Sequence, residues 1–175
     1  MKIRQGFISN SSSSSFLIVG TDNKKVIDAF WKRFHLDEIE EQGIDEVDYS
    51  KLEQFGIEDL ENNGYGTMTV NDFTLPINSY DYRKSEVACI GLPVNIGKGF
   101  DTLEDVGYEL QGNTYSTKIE EPLSFSTPEI EPLRAHIDFQ HLQTRKTQFL
   151  ELMKYYEIEV DEKDVMMLVG HSGPG

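Results

Sequence analysis

The sequence predicts one α+β or mixed α/β domain with a mixed sheet, and three observations predict it. An unbroken apolar run, Phe16-Leu17-Ile18-Val19, has the length of a buried strand. Apolar residues alternate with polar ones on both sides of Asn71-Asp72, giving a hairpin near 66–77. Apolar residues recur at helical spacing near 23–34 and again near 128–156. The chain has 175 residues, the size of a single domain, with a Ser-rich N-terminal segment at 9–15.

In chain order, Phe16 to Gly20 reads as a strand ended by the turn signal Thr21-Asp22-Asn23. Val26, Ile27, Phe30, Trp31 and Phe34 then form the apolar face of a helix that Asp22 or Asn23 can cap. Ser50-Lys51-Leu52-Glu53 has the form of a capping box, with Leu52, Phe55 and Leu60 as the buried side of a short helix. In the hairpin, Met68 and Val70 face one way before the turn, and Phe73, Leu75 and Ile77 after it. Glu86 to Leu92 reads as a strand closed by Pro93, Thr102 to Gln111 as a short helix, and Tyr115 to Ile119 as a strand. Thr127-Pro128-Glu129 has the chemistry of a helix start: a capping hydroxyl, a proline in the first turn and an acid at the positive dipole end. Leu133, Ile137, Leu142, Phe149, Met153 and Tyr156 continue down one face, with a bend expected near Asp138-Phe139-Gln140. Val165 to Val169 reads as the last strand and the residues after it as a frayed tail.

Charge narrows the function classes. The net charge is −15, and residues 37–61 hold eleven acidic side chains and one lysine. Such a chain is not expected to bind a nucleic-acid backbone, because phosphate binding draws on clustered lysine and arginine. It suits a basic protein partner, and Glu40, Glu41, Asp45 and Glu46 are the candidate contacts. No apolar run is long enough for a transmembrane helix, and the polar serines interrupt what would be a signal peptide after Lys2 and Arg4. The single cysteine, Cys89, lies in an apolar run and reads as a core thiol in a reducing compartment.

Two near-motifs fail on chemistry. Gly91-Leu92-Pro93-Val94-Asn95-Ile96-Gly97-Lys98-Gly99 follows a strand, but five residues separate Gly91 from Gly97-Lys98 where a P-loop has four. Gly99 also stands where a hydroxyl would hold magnesium. Gly97, Lys98, Gly99 and Thr102 remain candidates for holding an anion. Gly170-His171-Ser172-Gly173-Pro174 resembles a nucleophile elbow, yet Pro174 replaces the second glycine and no triad partners follow. The spacing of the four histidines and of the acidic runs fits neither zinc nor calcium. No catalytic residue, metal or cofactor is therefore assigned.

The opening is the most specific feature. Lys2-Ile3-Arg4-Gln5-Gly6-Phe7-Ile8-Ser9-Asn10, then five serines and Phe16, resembles the shared N-terminus of uncharacterised proteins of tailed bacteriophages and some bacteria. The resemblance covers about residues 1–20, implies a phage-type or bacterial cytoplasmic protein, and supplies no activity. Ser11, Ser12, Ser13, Ser14 and Ser15 are open to three roles. They can be a solvated peptide that another protein reads or phosphorylates, the start of the Phe16 strand, or part of a site for a phosphate-bearing ligand. The expected function is an accessory protein of the cytoplasm, or of the host cytoplasm if phage-encoded, acting by binding a basic partner. The alternatives are a small enzyme or sensor for a phosphorylated metabolite or nucleotide, using Ser11–Ser15 with the 95–102 loop, and a virion component.

Overall fold

The computed structural model describes residues 2–5, 14–63, 66–79, 82–96, 103, 110, 113–125 and 127–173. Among them eight strands form one sheet: β1 (Lys2–Gln5), β2 (Ser14–Thr21), β3 (Asp59–Asn62), β4 (Thr67–Val70), β5 (Phe73–Pro76), β6 (Ile90–Pro93), β7 (Thr114–Lys118) and β8 (Met166–Ser172). Their order is β1-β3-β4-β5-β6-β2-β8-β7. Edge strand β1 runs parallel to β3, and every other neighbouring pair is antiparallel. With the helices α1 (Lys24–Arg33), α2 (Leu36–Gln42), α3 (Tyr49–Gln54) and α4 (Phe139–Tyr155), this is the mixed α+β class the patterns predict.

The Phe16–Val19 stretch of β2 is an unbroken apolar run because both faces of the strand are covered there. Leu17 and Val19 join the main core, while Phe16 and Ile18 pack with Cys89 and Leu168 on the other side of the sheet. Burial pushes the Cys89 thiol far above its ordinary range, as expected of an inert core sulfur.

The sheet is coiled. Three strands separate β4 from β8, which in a flat sheet puts them about 19 Å apart at about 4.8 Å per step. Yet the Ser172 hydroxyl donates to the Gly66 carbonyl at 3.0 Å, and the Gly173 amide donates to Asn78 Oδ1 at 3.2 Å. Gly66 permits this meeting, since a Cβ there would lie 2.5 Å from the Gly173 Cα. Residues 170–173 are thus not a frayed tail: β8 runs on to Ser172, which is buried.

Helix α1 starts where Asn23 Oδ1 accepts the Lys25 amide at 2.9 Å, and Val26, Ile27, Phe30 and Trp31 are buried from its apolar face. Its aromatic residues seed the core. Phe30 meets Phe34 at 4.9 Å and Phe73 at 5.0 Å, and Phe73 meets Phe149 of α4 at 6.0 Å.

Several boundaries differ from the sequence reading. The 128–156 pattern is not one α-helix. Pro128–His136 is 3-10 helix, Asp138 caps α4, and the break falls where the bend is expected. Pro132 explains the tighter first part, since it has no amide to give an α-helical bond and its ring crowds the preceding turn. Helix α3 is capped by Asp48, not Ser50, and Leu60 belongs to β3. Strand β6 starts at Ile90; Lys84–Glu86 before it is a 3-10 turn, and Pro93 is its last residue. The helix expected over Thr102–Gln111 lies outside the described residues, apart from Leu103 and Leu110, which are buried in the core.

The hairpin falls where the alternation puts it, with Val70 opposite Phe73 and Asn71-Asp72 between them. Asn71 takes a left-handed conformation, φ 52°, which asparagine tolerates better than most residues. Its Oδ1 accepts the amides of Glu58 at 2.7 Å and Asp59 at 3.1 Å. Its Nδ2 donates to the Gly56 carbonyl at 3.1 Å and to Tyr156 Oη at 3.2 Å. One side chain thus ties the hairpin tip to β3 and to the end of α4. Asn71→Ala is expected to lower stability by about 2–4 kcal/mol, from several lost hydrogen bonds and a strained backbone. Asn71→Gly should recover only the backbone part, about 1 kcal/mol. Urea midpoints of the three proteins check this; equal midpoints for alanine and wild type would dismiss the knot.

Candidate functional site

The acidic segment folds as a surface module because its apolar residues pin it from below. Leu36, Ile39, Ile44, Val47, Leu52 and Ile57 are all buried, at intervals that turn the intervening carboxylates outward. A left-handed His35, φ 52°, makes the turn from α1 into α2, and its ring stacks on Phe55 at 4.3 Å. Arg33 adds a clamp. Its guanidinium lies 5.2 Å from the Phe34 ring centroid and donates to the Phe55 carbonyl at 3.2 Å.

On this frame Asp37, Glu38, Glu41, Glu46, Asp48, Glu53 and Glu58 are exposed. Lys51 is the single lysine among them and approaches Glu38 at 4.0 Å, a contact of small energetic weight at a surface. The Ser50 amide and hydroxyl, each 2.9 Å from Asp48 Oδ1, hold the Asp48 carboxyl below its ordinary range. Tyr49 stands in this field with 55% of its surface open. Of the four predicted contacts, Glu41 and Glu46 are exposed. Asp45 lies in the 3-10 turn Ile44–Glu46. Glu40 is half-buried and accepts the Lys84 amide at 3.5 Å, so it serves an internal seam.

Of the candidate ligand residues, Ser11, Ser12, Ser13, Gly97, Lys98, Gly99 and Thr102 lie outside the described residues. Ser14 and Ser15 are the first two residues of β2, opposite Ser172 and His171 of β8. Ser15 Oγ lies 3.3 Å from His171 Nδ1. Burial lowers the His171 imidazole below the usual histidine range. Beside them, the Val94 amide donates to the Leu17 carbonyl at 3.0 Å, so the chain leaving β6 runs alongside the start of β2. The Ser172 hydroxyl is committed to the Gly66 carbonyl.

Two clefts flank α4. One, of about 810 Å³, lies between the start of α1 and the end of α4, with Val26, Leu150, Ile158 and Val160 among its lining residues. The other, of about 720 Å³, lies against β6 and the tip of the β4–β5 hairpin. The second escapes a sequence reading because Asp72, Leu92-Pro93 and the 145–155 stretch are far apart in the chain. The signal that could have found it is Tyr155, an aromatic residue off the apolar stripe of α4 and 77% exposed. Among the described residues no group of three or more His, Cys, Asp or Glu side chains is arranged to hold a metal ion. Nor is any helix among them long and apolar enough to cross a membrane.

Comparisons with protein-family models, with curated proteins and with solved structures find no match to this chain.

Proposed function

We propose that the protein acts by binding a basic protein partner on the face formed by α2, the Ile44–Glu46 turn and α3. The observation that carries this reading is the exposed carboxylate field, with one lysine in it and Tyr49 standing free in its midst. Carboxylates held at fixed positions steer a cationic partner, and an exposed tyrosine supplies rigid contact area of the kind that dominates interface energies. The buried apolar row beneath keeps the field in one arrangement, so little ordering is lost on association. We assign the protein to the cytoplasm of a bacterium or of an infected bacterial host, on the resemblance of its opening residues.

The test is calorimetric titration with a hexalysine peptide. Glu41→Gln, Glu46→Gln and Glu53→Gln combined should weaken binding about tenfold, the sum of three exposed ion pairs. Raising salt from about 0.1 M to about 1 M, which shortens the screening length from about 10 Å to about 3 Å, should do at least as much. Affinity unchanged by both would reject the face as a cation-binding surface.

A further inference from the structure

The cleft against β6 has a chemistry of its own. Its wall is apolar, from Leu92 of β6, the exposed Pro93 and Leu152 of α4. Tyr155 stands on its rim with 77% of its surface open. The neighbouring Tyr156 ring, 5.0 Å away and nearly perpendicular, is fixed by its bond to Asn71, so the shelf under Tyr155 is rigid. Two exposed carboxylates share the lining, Asp72 at the hairpin tip and Glu151 on α4. Among the described residues, neither carboxylate nor the Tyr155 hydroxyl has an ion pair or a hydrogen bond. The one cation of the wall, Arg145, is half-buried; its Nη1 donates to Gln148 Oε1 at 3.2 Å, while its buried Nε has no hydrogen-bond partner among the described residues.

We propose that this cleft takes an arginine side chain of the basic partner. This rests on the basic-partner reading and gives it a second, separate contact. The occupant follows from the lining. An arginine stem is apolar and fits against Leu92, Pro93 and Leu152, and its planar guanidinium stacks on an aromatic face and pairs with carboxylates. Two unpaired carboxylates beside an open tyrosine ring offer those contacts together, in a chain of net charge −15. An anionic occupant would gain Arg145 but meet both carboxylates, which outnumber it, and a purely apolar one would leave them facing a dry surface.

Titration with hexa-arginine, followed by calorimetry and by backbone amide shifts, tests the proposal. Three proteins are compared with wild type: Tyr155→Leu, the pair Asp72→Asn with Glu151→Gln, and the α2–α3 triple variant. These positions are on the surface, and a melting curve for each verifies the fold. Each cleft variant should weaken hexa-arginine binding about fivefold, with shifts at residues 151–155 and 72–73 that the triple variant leaves in place. Loss of binding in the triple variant alone would overturn the cleft and leave the acidic face standing. A drop with the carboxylate pair but not with Tyr155→Leu would also overturn it, since the ring would then play no part. No binding of any cationic peptide would overturn both contacts. A dimer in sedimentation without peptide, dissolved by Tyr155→Leu, would give the cleft to a second copy and end the proposal.

Discussion

Replacing Phe73 with alanine is expected to lower stability by about 3–5 kcal/mol, the range for a large aromatic removed from a closed core. Phe73 is fully buried at the start of β5 and is the ring on which α1 and α4 converge. Phe30 of α1 stands edge-on to it at 5.0 Å, Phe149 of α4 edge-on at 6.0 Å, and Tyr156 lies tilted at 6.1 Å. Alanine removes the area that Phe73 buries and the edge-to-face contacts, each of which adds about 0.5–1.5 kcal/mol. The surrounding rings are held on two separate helices, α1 and α4, whose own packing keeps them from closing the hole. Domains of this size are stable by only about 5–15 kcal/mol, so the variant should sit near the edge of folding at 37 °C. Phe73→Leu keeps most of the volume and should lose about half as much. Urea midpoints with an unchanged slope are the measurement. An alanine variant within about 1 kcal/mol of wild type would mean that the aromatic cluster is not the centre of the core.

The elements legible in the sequence were those set by local pattern. The apolar run of β2, the alternation around Asn71-Asp72 and the 3.6-residue spacing of α1 each lie within a few residues, where periodicity carries the signal. What escaped depends on partners far along the chain. Met166–Ser172 looked as if it ended at Val169 because Gly170, His171 and Ser172 are not strand formers by composition. Their pairing with Phe16, Ser15 and Ser14 spans more than 150 residues and has no local trace. Pro132 was in plain view, and its missing amide should have divided the 128–156 span before the bend at Asp138.

The candidate surface was legible to the same degree. Counting charges found the 37–61 module, because a dense carboxylate run at the surface needs no tertiary information. It could not separate Glu41, which is exposed, from Glu40, whose carboxylate is drawn to Lys84 from another part of the chain. The Tyr155 cleft was beyond reach for that reason too: its carboxylates and its apolar wall come together only in the folded chain.

The second large effect is steric. Gly20→Ala is expected to cost at least about 4 kcal/mol, or to leave no soluble protein. At this point β2 presses against β6, with Gly20 opposite Gly91 in the ladder. A Cβ on Gly20 would lie 1.9 Å from the Ile90 carbonyl oxygen and 2.5 Å from the Gly91 Cα. Both are backbone atoms, so no rotamer change relieves the clash. Nor can β6 step aside, since Gly91 is also paired with Thr74 of β5. The two central strands would have to part, and the buried Val19 and Leu92 beside them would lose their packing. Gly43→Ala is the matched control. That residue has φ 86° and open space around its Cβ position, so alanine there is opposed by backbone conformation alone and should cost about 1 kcal/mol. Circular dichroism and urea titration of the two variants separate crowding from conformation. Equal small losses at both positions would mean that β2 and β6 yield at their crossing, and that the sheet tolerates a side chain between its central strands.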